Sequence, residues 1–256
     1  MTAIEAGGAR PWGIGSVIGS AGSIFFGHFV SFVGAALLIM LPSLLFRLAL
    51  PLSSFQLLID LILGQVAFVT LIYGTVQALR GRKVAIGECL SQGFKRLGVA
   101  LGVAILTWIG YFLGFLLLVV PGIILLLMWS VAVPAAVVER TGVSASFGRS
   151  RALTRDRRWR IFGTFFVAGL LASLIVGVIA FPLMFILIRA MGDNVRDGMM
   201  AINAHPNGVL GAFAAMQWVV GALSLAFYAC LLATLYYYLR RDKEGVDIEQ
   251  IAAVFD

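Results

Sequence analysis

Six apolar runs, each close to or beyond twenty residues and nearly free of charge, decide what this chain can become. They lie at roughly 27–49, 55–79, 98–119, 121–138, 161–188 and 208–239. Crossing the hydrocarbon core of a bilayer takes about 20 apolar residues as a helix. The runs are continuous and do not alternate, so they lack the dyad pattern of a membrane β-barrel. Unpaired backbone in hydrocarbon is costly, which leaves helices. Composition agrees: 61% of the 256 residues are hydrophobic and 12% are charged. A soluble domain carries roughly 25% charged residues, because its exterior must face water. The expectation is an all-α, polytopic helical bundle, one integral membrane domain over 1–256 ending in a short tail at 240–256.

The basic residues set the topology. Arg80, Arg82, Lys83, Lys95 and Arg96 fall between spans two and three. Arg140, Arg149, Arg151, Arg155, Arg157, Arg158 and Arg160 fall between spans four and five, and Arg240, Arg241 and Lys243 follow span six. The alternate connections hold only Arg47, Arg189 and Arg196. By the positive-inside rule both termini are expected in the cytoplasm. Topology also accounts for the net charge of +7, since no nucleic-acid module is recognisable and no nucleic-acid partner is implied. Residues 1–12 are polar and carry one Arg10, with no cleavage site after a short apolar stretch, so this segment is expected to be retained.

The basic connections carry an amphipathic pattern of their own. In 84–97, Ile86, Leu90, Phe94 and Leu97 recur at helical spacing, with Lys95 and Arg96 elsewhere on the wheel. That pattern predicts an interfacial helix with its cations near anionic headgroups. Residues 144–158 read similarly, with Ser144 as the start and Phe147 and Leu153 as anchors, and 13–26 form a third such segment. Each third of the chain thus reads as an interfacial segment, a span, a proline and a second span, with prolines at Pro42, Pro121 and Pro182. Three such units would be parallel repeats about an axis along the membrane normal.

Few residues carry chemistry. Asp60, near the outer end of span two, is a candidate for cation coupling, with Arg47 as its obvious ion partner. Gln65, Gln77 and Gln217 are polar positions inside spans. Asp60, Gln65 and Gln217 together are the candidate lining of a transport path. The alternative for the glutamines is hydrogen bonding between helices. Lys95, Arg96, Arg149, Arg151, Arg157 and Arg158 are the candidate contacts to anionic lipid, and Glu139 is placed to pair with an arginine of the 4–5 connection. Gly15/Gly19, Gly98/Gly102 and Gly110/Gly114 are G-x-x-x-G pairs suited to close helix approach. Pro42, Pro121, Pro134 and Pro182 are expected to kink or break helices. Tyr236, Tyr237 and Tyr238 beside Arg240 form an aromatic belt. Cys89 and Cys230 imply no disulfide framework, and His28 and His205, in different connections, read as interfacial side chains. Metalloprotease, P-loop and nucleophile-elbow motifs are missing, so no enzyme, cofactor or metal site is implied.

The segment PGIILLLMWSVAVPAAVVERTGVSASFGRSRALTRDRRWR, from Pro121 to Arg160, is the most distinctive. Its landmarks are Pro121-Gly122, Pro134, Glu139, Arg149-Ser150 and Trp159-Arg160. With LYYYLRRDKEGVDIE, from Leu235 to Glu249 and including Arg240, Glu244 and Gly245, it resembles the membrane domain of bacterial glycerophosphoryl diester phosphodiesterases and the related YciC-like inner-membrane proteins. The resemblance implies a six-helix bacterial inner-membrane protein. It carries over no phosphodiesterase activity, because the soluble barrel and its several metal-binding carboxylates and histidines have no counterpart here. The resulting expectation is a non-enzymatic scaffold or accessory factor in envelope or lipid organisation, with membrane lipids, a second copy or an envelope protein as partners. The alternative is a small transporter or channel.

Overall fold

The computed structural model describes residues 13–50, 55–190 and 206–245. Among them are nine α-helices and no strand. The helices are α1 (Ile14–Gly27), α2 (Phe29–Ala49), α3 (Gln56–Leu79), α4 (Ile86–Leu117), α5 (Val119–Trp129), α6 (Ala132–Val138), α7 (Val143–Thr154), α8 (Arg158–Ala190) and α9 (Pro206–Glu244). Six stretches are long and apolar enough to cross a membrane: α2, α3, α4, α5 with α6, α8 and α9. The protein is an all-α multi-pass membrane bundle. The N-terminal segment 1–12, Arg196, His205 and the tail beyond Gly245 lie outside the described residues.

Local sequence explains where helices stop and where they continue. Gly81, at φ +68°, turns the chain between α3 and α4, and Gly245, at φ +63°, ends α9 by donating its N–H to the Arg241 carbonyl. Both occupy the left-handed region that glycine reaches without a Cβ penalty. Pro121 does not itself divide spans three and four. The break is at Leu118, whose backbone is extended (φ −172°, ψ 157°), and Pro121 sits in the first turn of α5, where its missing N–H costs nothing. Pro134 acts three residues upstream of itself: α5 ends at Trp129 and α6 starts at Ala132. A proline ring collides with the carbonyl four residues before it and cannot donate to it, which disfavours a continuous helix through Ser130. Pro42 and Pro182 stay inside continuous helices.

Two interfacial expectations need amending. The 84–97 segment is not a separate helix: its amphipathic turns run without interruption into span three as α4, since nothing at 97–98 breaks the backbone. In the 4–5 connection the helix begins one residue before Ser144, with Gly142 at its cap. There Ser146, not Ser144, meets the cap region, donating to the Gly142 carbonyl at 2.8 Å.

Packing has a simple order. The second spans, α3, α5–α6 and α9, are the inner ones, and α3 and α9 are buried most deeply. The first spans, α2, α4 and α8, stand outside them. Helix α2 lies against α3 and α9, and α4 lies against α3 and α5. The short helices at the basic end each rest on an inner span: the first turns of α4 on α3, α7 on α5–α6, and α1 on α9. The core runs from Val17 and Ala21 of α1, through Val69 and Ile72 of α3, to Leu235, Tyr236 and Leu239 of α9. Helix α8 is the exception. It touches α1, α5 and α9 only lightly, and from Gly169 to Arg189 every described residue is exposed or half-buried.

Candidate functional site

At the basic end the break before Pro134 creates the first polar demand. With α5 ended, the Met128 carbonyl loses the helical N–H it would otherwise receive. Ser150 Oγ of α7 donates to it at 2.8 Å, and Thr154 Oγ1 lies 3.3 Å away while donating at 2.9 Å to its own Ser150 carbonyl. Ser146, Ser150 and Thr154 are therefore fully buried polar residues at four-residue spacing, the face of α7 that rests on span four. Leaving that carbonyl unsatisfied would cost about 1–3 kcal/mol.

Ion pairs then fix α7 to both α6 and α9. Glu139 caps the end of α6, and Arg149 Nε lies 2.7 and 2.8 Å from its two carboxylate oxygens. A second nitrogen of Arg149 pairs with Glu244 at the end of α9. Tyr236 donates its hydroxyl to Glu139 at 2.6 Å, and Arg240 Nε reaches Glu244 at 3.0 Å. Burial alone would lower the Arg149 guanidinium, but hydrogen bonds and charge from Glu139 and Glu244 outweigh it and hold it above its ordinary value. Close by, Arg157 reaches Asp242 at 2.8 Å and Lys243 reaches Asp156 at 3.5 Å. Half-buried charges are worth keeping only when paired and hydrogen-bonded in this way. Glu139, Arg149, Arg240 and Glu244, scattered over 106 positions, thus meet in one knot, with Gly245 ending the helix that supplies two of them and Ser150, next to Arg149 in α7, turned instead to the Met128 carbonyl.

That knot divides the six expected lipid contacts. Arg149 and Arg157 are committed to internal carboxylates. Arg151 is exposed, Lys95 is exposed, and Arg96 and Arg158 are half-buried, none with an acidic partner among the described residues. Arg155, not among the six, is exposed as well. Its value was hidden because a run of arginines gives no sign of which members fold inward.

The opposite end holds a second polar group. Asp60 accepts from Arg47 at 2.7 Å, from Gln56 Nε2 at 2.8 Å and from the Ser43 hydroxyl. Arg47 was foreseeable. Ser43 and Gln56 were not singled out, although Ser43/Arg47 and Gln56/Asp60 are i, i+4 pairs flanking one short connection, the spacing that puts four side chains together. Neither Gln65 nor Gln217 is among the hydrogen-bond partners of Asp60. Gln65 is five residues from Asp60, roughly 140° round the same helix, and Gln217 is exposed on α9. Gln77 donates to Tyr73 at 3.0 Å within α3. Of the glycine pairs, Gly110/Gly114 faces α5, where a Cβ on Gly110 would fall 2.0 Å from the Trp129 ring. No heavy atom lies within 4 Å of the Cβ positions at Gly15 and Gly19.

What these sites define is a multi-pass membrane bundle with a charge-locked cap at its basic end. No family model, curated protein or solved structure matches the chain, so the family resemblance rests on residues 121–160 and 235–249 alone.

Proposed function

We propose that the chain is a non-enzymatic scaffold or accessory factor of envelope or lipid organisation in the bacterial inner membrane, with its basic end and both termini in the cytoplasm. One observation carries this reading: Glu139, Glu244 and Asp242 are spent on Arg149 and Arg157, tying α6 and α9 to the α7 segment, while Arg151 and Arg155 beside them stay exposed. Such a cap is built to be rigid and to present positive charge to a surface. The resemblance to YciC-like inner-membrane proteins supports the same assignment.

The competing reading is transport past Asp60. It draws support from a carboxylate partly inside a span, but that carboxylate is filled by donors from α2 and α3. The test is flux in proteoliposomes. Scaffold function predicts only the leak of empty liposomes and an Asp60→Asn variant identical to wild type. Saturable flux of an ion or solute, abolished in Asp60→Asn, would replace this proposal with the transporter. Orientation is checked by inserting a protease site after Gly245, which should be cut in inverted vesicles and protected in intact cells.

A further inference from the structure

The exposed and half-buried arginines of the basic end that lack an acidic partner are not spread evenly. Arg151 and Arg155 are four residues apart, at the last turn and cap of α7, and Arg158 opens α8 three residues later. Like charges at this spacing repel. The fold could relieve them with the nearby acids, yet Asp242 takes Arg157 and Glu139 and Glu244 take Arg149. Asp156, in the same turn and 72% exposed, faces Lys243 at 3.5 Å. Asp156, between the end of α7 and the start of α8, sits at φ +67°, a conformation costly for a residue with a side chain, and in sequence Arg155 and Arg158 flank Arg157, which is turned to Asp242. Nε of Arg158 is buried with no hydrogen-bond partner.

Directly below this cluster begins an apolar rail. Trp159 is 85% exposed, and Trp159, Phe162 and Phe166 are spaced one turn apart with ring centroids 6.1 and 6.2 Å from one another. Leu170 and Leu174 continue the same exposed face. From Trp159 to Leu174 is about 22 Å along a helix axis, close to the length of one extended acyl chain. Positive charge at the interface, an interfacial tryptophan and an apolar strip beneath it fit a molecule with an anionic head and a long apolar tail.

We infer that the α7–α8 turn is a binding site for one anionic phospholipid, its phosphate held by Arg151, Arg155 and Arg158 and one chain lying along Trp159, Phe162, Phe166 and Leu170. This rests on the proposed role in lipid organisation and names its ligand. Each arginine near the surface contributes about fivefold to affinity for anionic lipid, so three contribute about a hundredfold.

The full chain in nanodiscs tests this, with native mass spectrometry counting phospholipids retained from phosphatidylcholine bilayers containing increasing phosphatidylglycerol. Wild type should retain one phosphatidylglycerol saturably and prefer long chains to short ones. The variant Arg151→Gln/Arg155→Gln/Arg158→Gln should lose about a hundredfold in that affinity. A variant of equal charge loss elsewhere at the basic end, Lys83→Gln/Lys95→Gln/Arg241→Gln, should lose clearly less affinity than the α7–α8 variant. Trp159→Ala/Phe166→Ala should weaken binding and erase the chain-length preference. Equal losses in the two charge variants would show diffuse attraction and overturn the site. So would equal retention of phosphatidylcholine, or displacement of the lipid by millimolar inorganic phosphate. Flux plays no part in this readout, so a failed lipid site leaves the scaffold reading standing, and a discovered flux leaves the lipid site standing.

Discussion

Helices α4 and α8 hold equivalent places, each the first span of its hairpin and each set against an inner span, yet one is locked and the other stands nearly alone. The difference is in how their glycines are used. A Cβ built on Gly93 would fall 2.5 Å from the Thr70 hydroxyl, on Gly102 2.9 Å from Val143, and on Gly114 3.0 Å from the Gly122 backbone. These are approaches that only glycine allows, and they let α4 press its backbone onto α3, α5 and α7. On α8, Gly163 meets only Ile14 of α1, and Gly169 and Gly177 meet nothing within 4 Å. Phe166, Phe181 and Phe185 of α8 point outward instead. A glycine in a membrane helix therefore says nothing about packing until its facing residue is known. Gly110 and Gly114 have Trp129 and Gly122 opposite them, whereas Gly169 and Gly177 have no partner there.

The largest effect that can break this contrast comes from filling both sets of glycines. Gly114→Leu must push α4 and α5 apart at the backbone of Gly122, at a cost of more than about 3 kcal/mol, or must prevent a monodisperse protein in detergent. Gly169→Leu should shift stability by no more than about 0.5 kcal/mol. Reversible unfolding in mixed micelles measures both. Equal costs would show that α8 is packed as tightly as α4.

A smaller effect separates the cap from the rail. Helix α7 reaches α4 through Val143 against Gly102, and it is Arg149 that holds α7 to α6 and α9. Arg149→Ala removes the cation that Glu139 and Glu244 share, leaving Glu139 with the Tyr236 hydroxyl and Glu244 with Arg240. The expected loss is about 2–3 kcal/mol in the same unfolding assay, below the range for a fully buried pair because water still reaches these groups. Arg151→Ala, on the exposed face of the same helix, should cost less than about 0.5 kcal/mol. Ser150→Ala comes next, at about 1 kcal/mol, since Thr154 stays within reach of the Met128 carbonyl.

Much of this was legible in the sequence, but only at short range. The apolar runs mark the spans, and the ten-residue interval from Glu139 to Arg149 suggests a pair across one tight connection. Glu244 as the second partner of Arg149 is 95 positions away and becomes visible only once α9 is packed beside α7. The continuity of α4 was hidden for the opposite reason. Lys95 and Arg96 look like a boundary between surface and membrane, but charge marks where a helix leaves lipid and not where its hydrogen bonds end. Asp60 drew attention as an isolated carboxylate, and its neighbours Ser43 and Gln56 did not, because ordinary polar residues near a span end carry no signal until they converge. The separation of α8 had no local sign at all: its glycines and aromatics resemble those of α4, and the difference lies in what the inner spans place opposite them.

The finest test of the comparison is a single methyl group. Gly177 lies in the middle of α8 with no atom within 4 Å of its Cβ position. Glycine inside a helix is less favourable than alanine by about 0.5–1 kcal/mol, since it has more backbone freedom to lose. If α8 stands free, Gly177→Ala meets no neighbour and should raise stability by a few tenths of a kcal/mol, up to that limit. The matched change in α4, Gly110→Ala, must displace the Trp129 ring and should lower stability by about 1–3 kcal/mol. The informative quantity is the sign at position 177. A gain in stability in micelles and in nanodiscs alike means that lipid is the only neighbour of this face of α8. A gain in micelles that becomes a loss in the bilayer means that another helix closes onto Gly177 there, in which case the looseness of α8 belongs to the isolated chain and not to its working state.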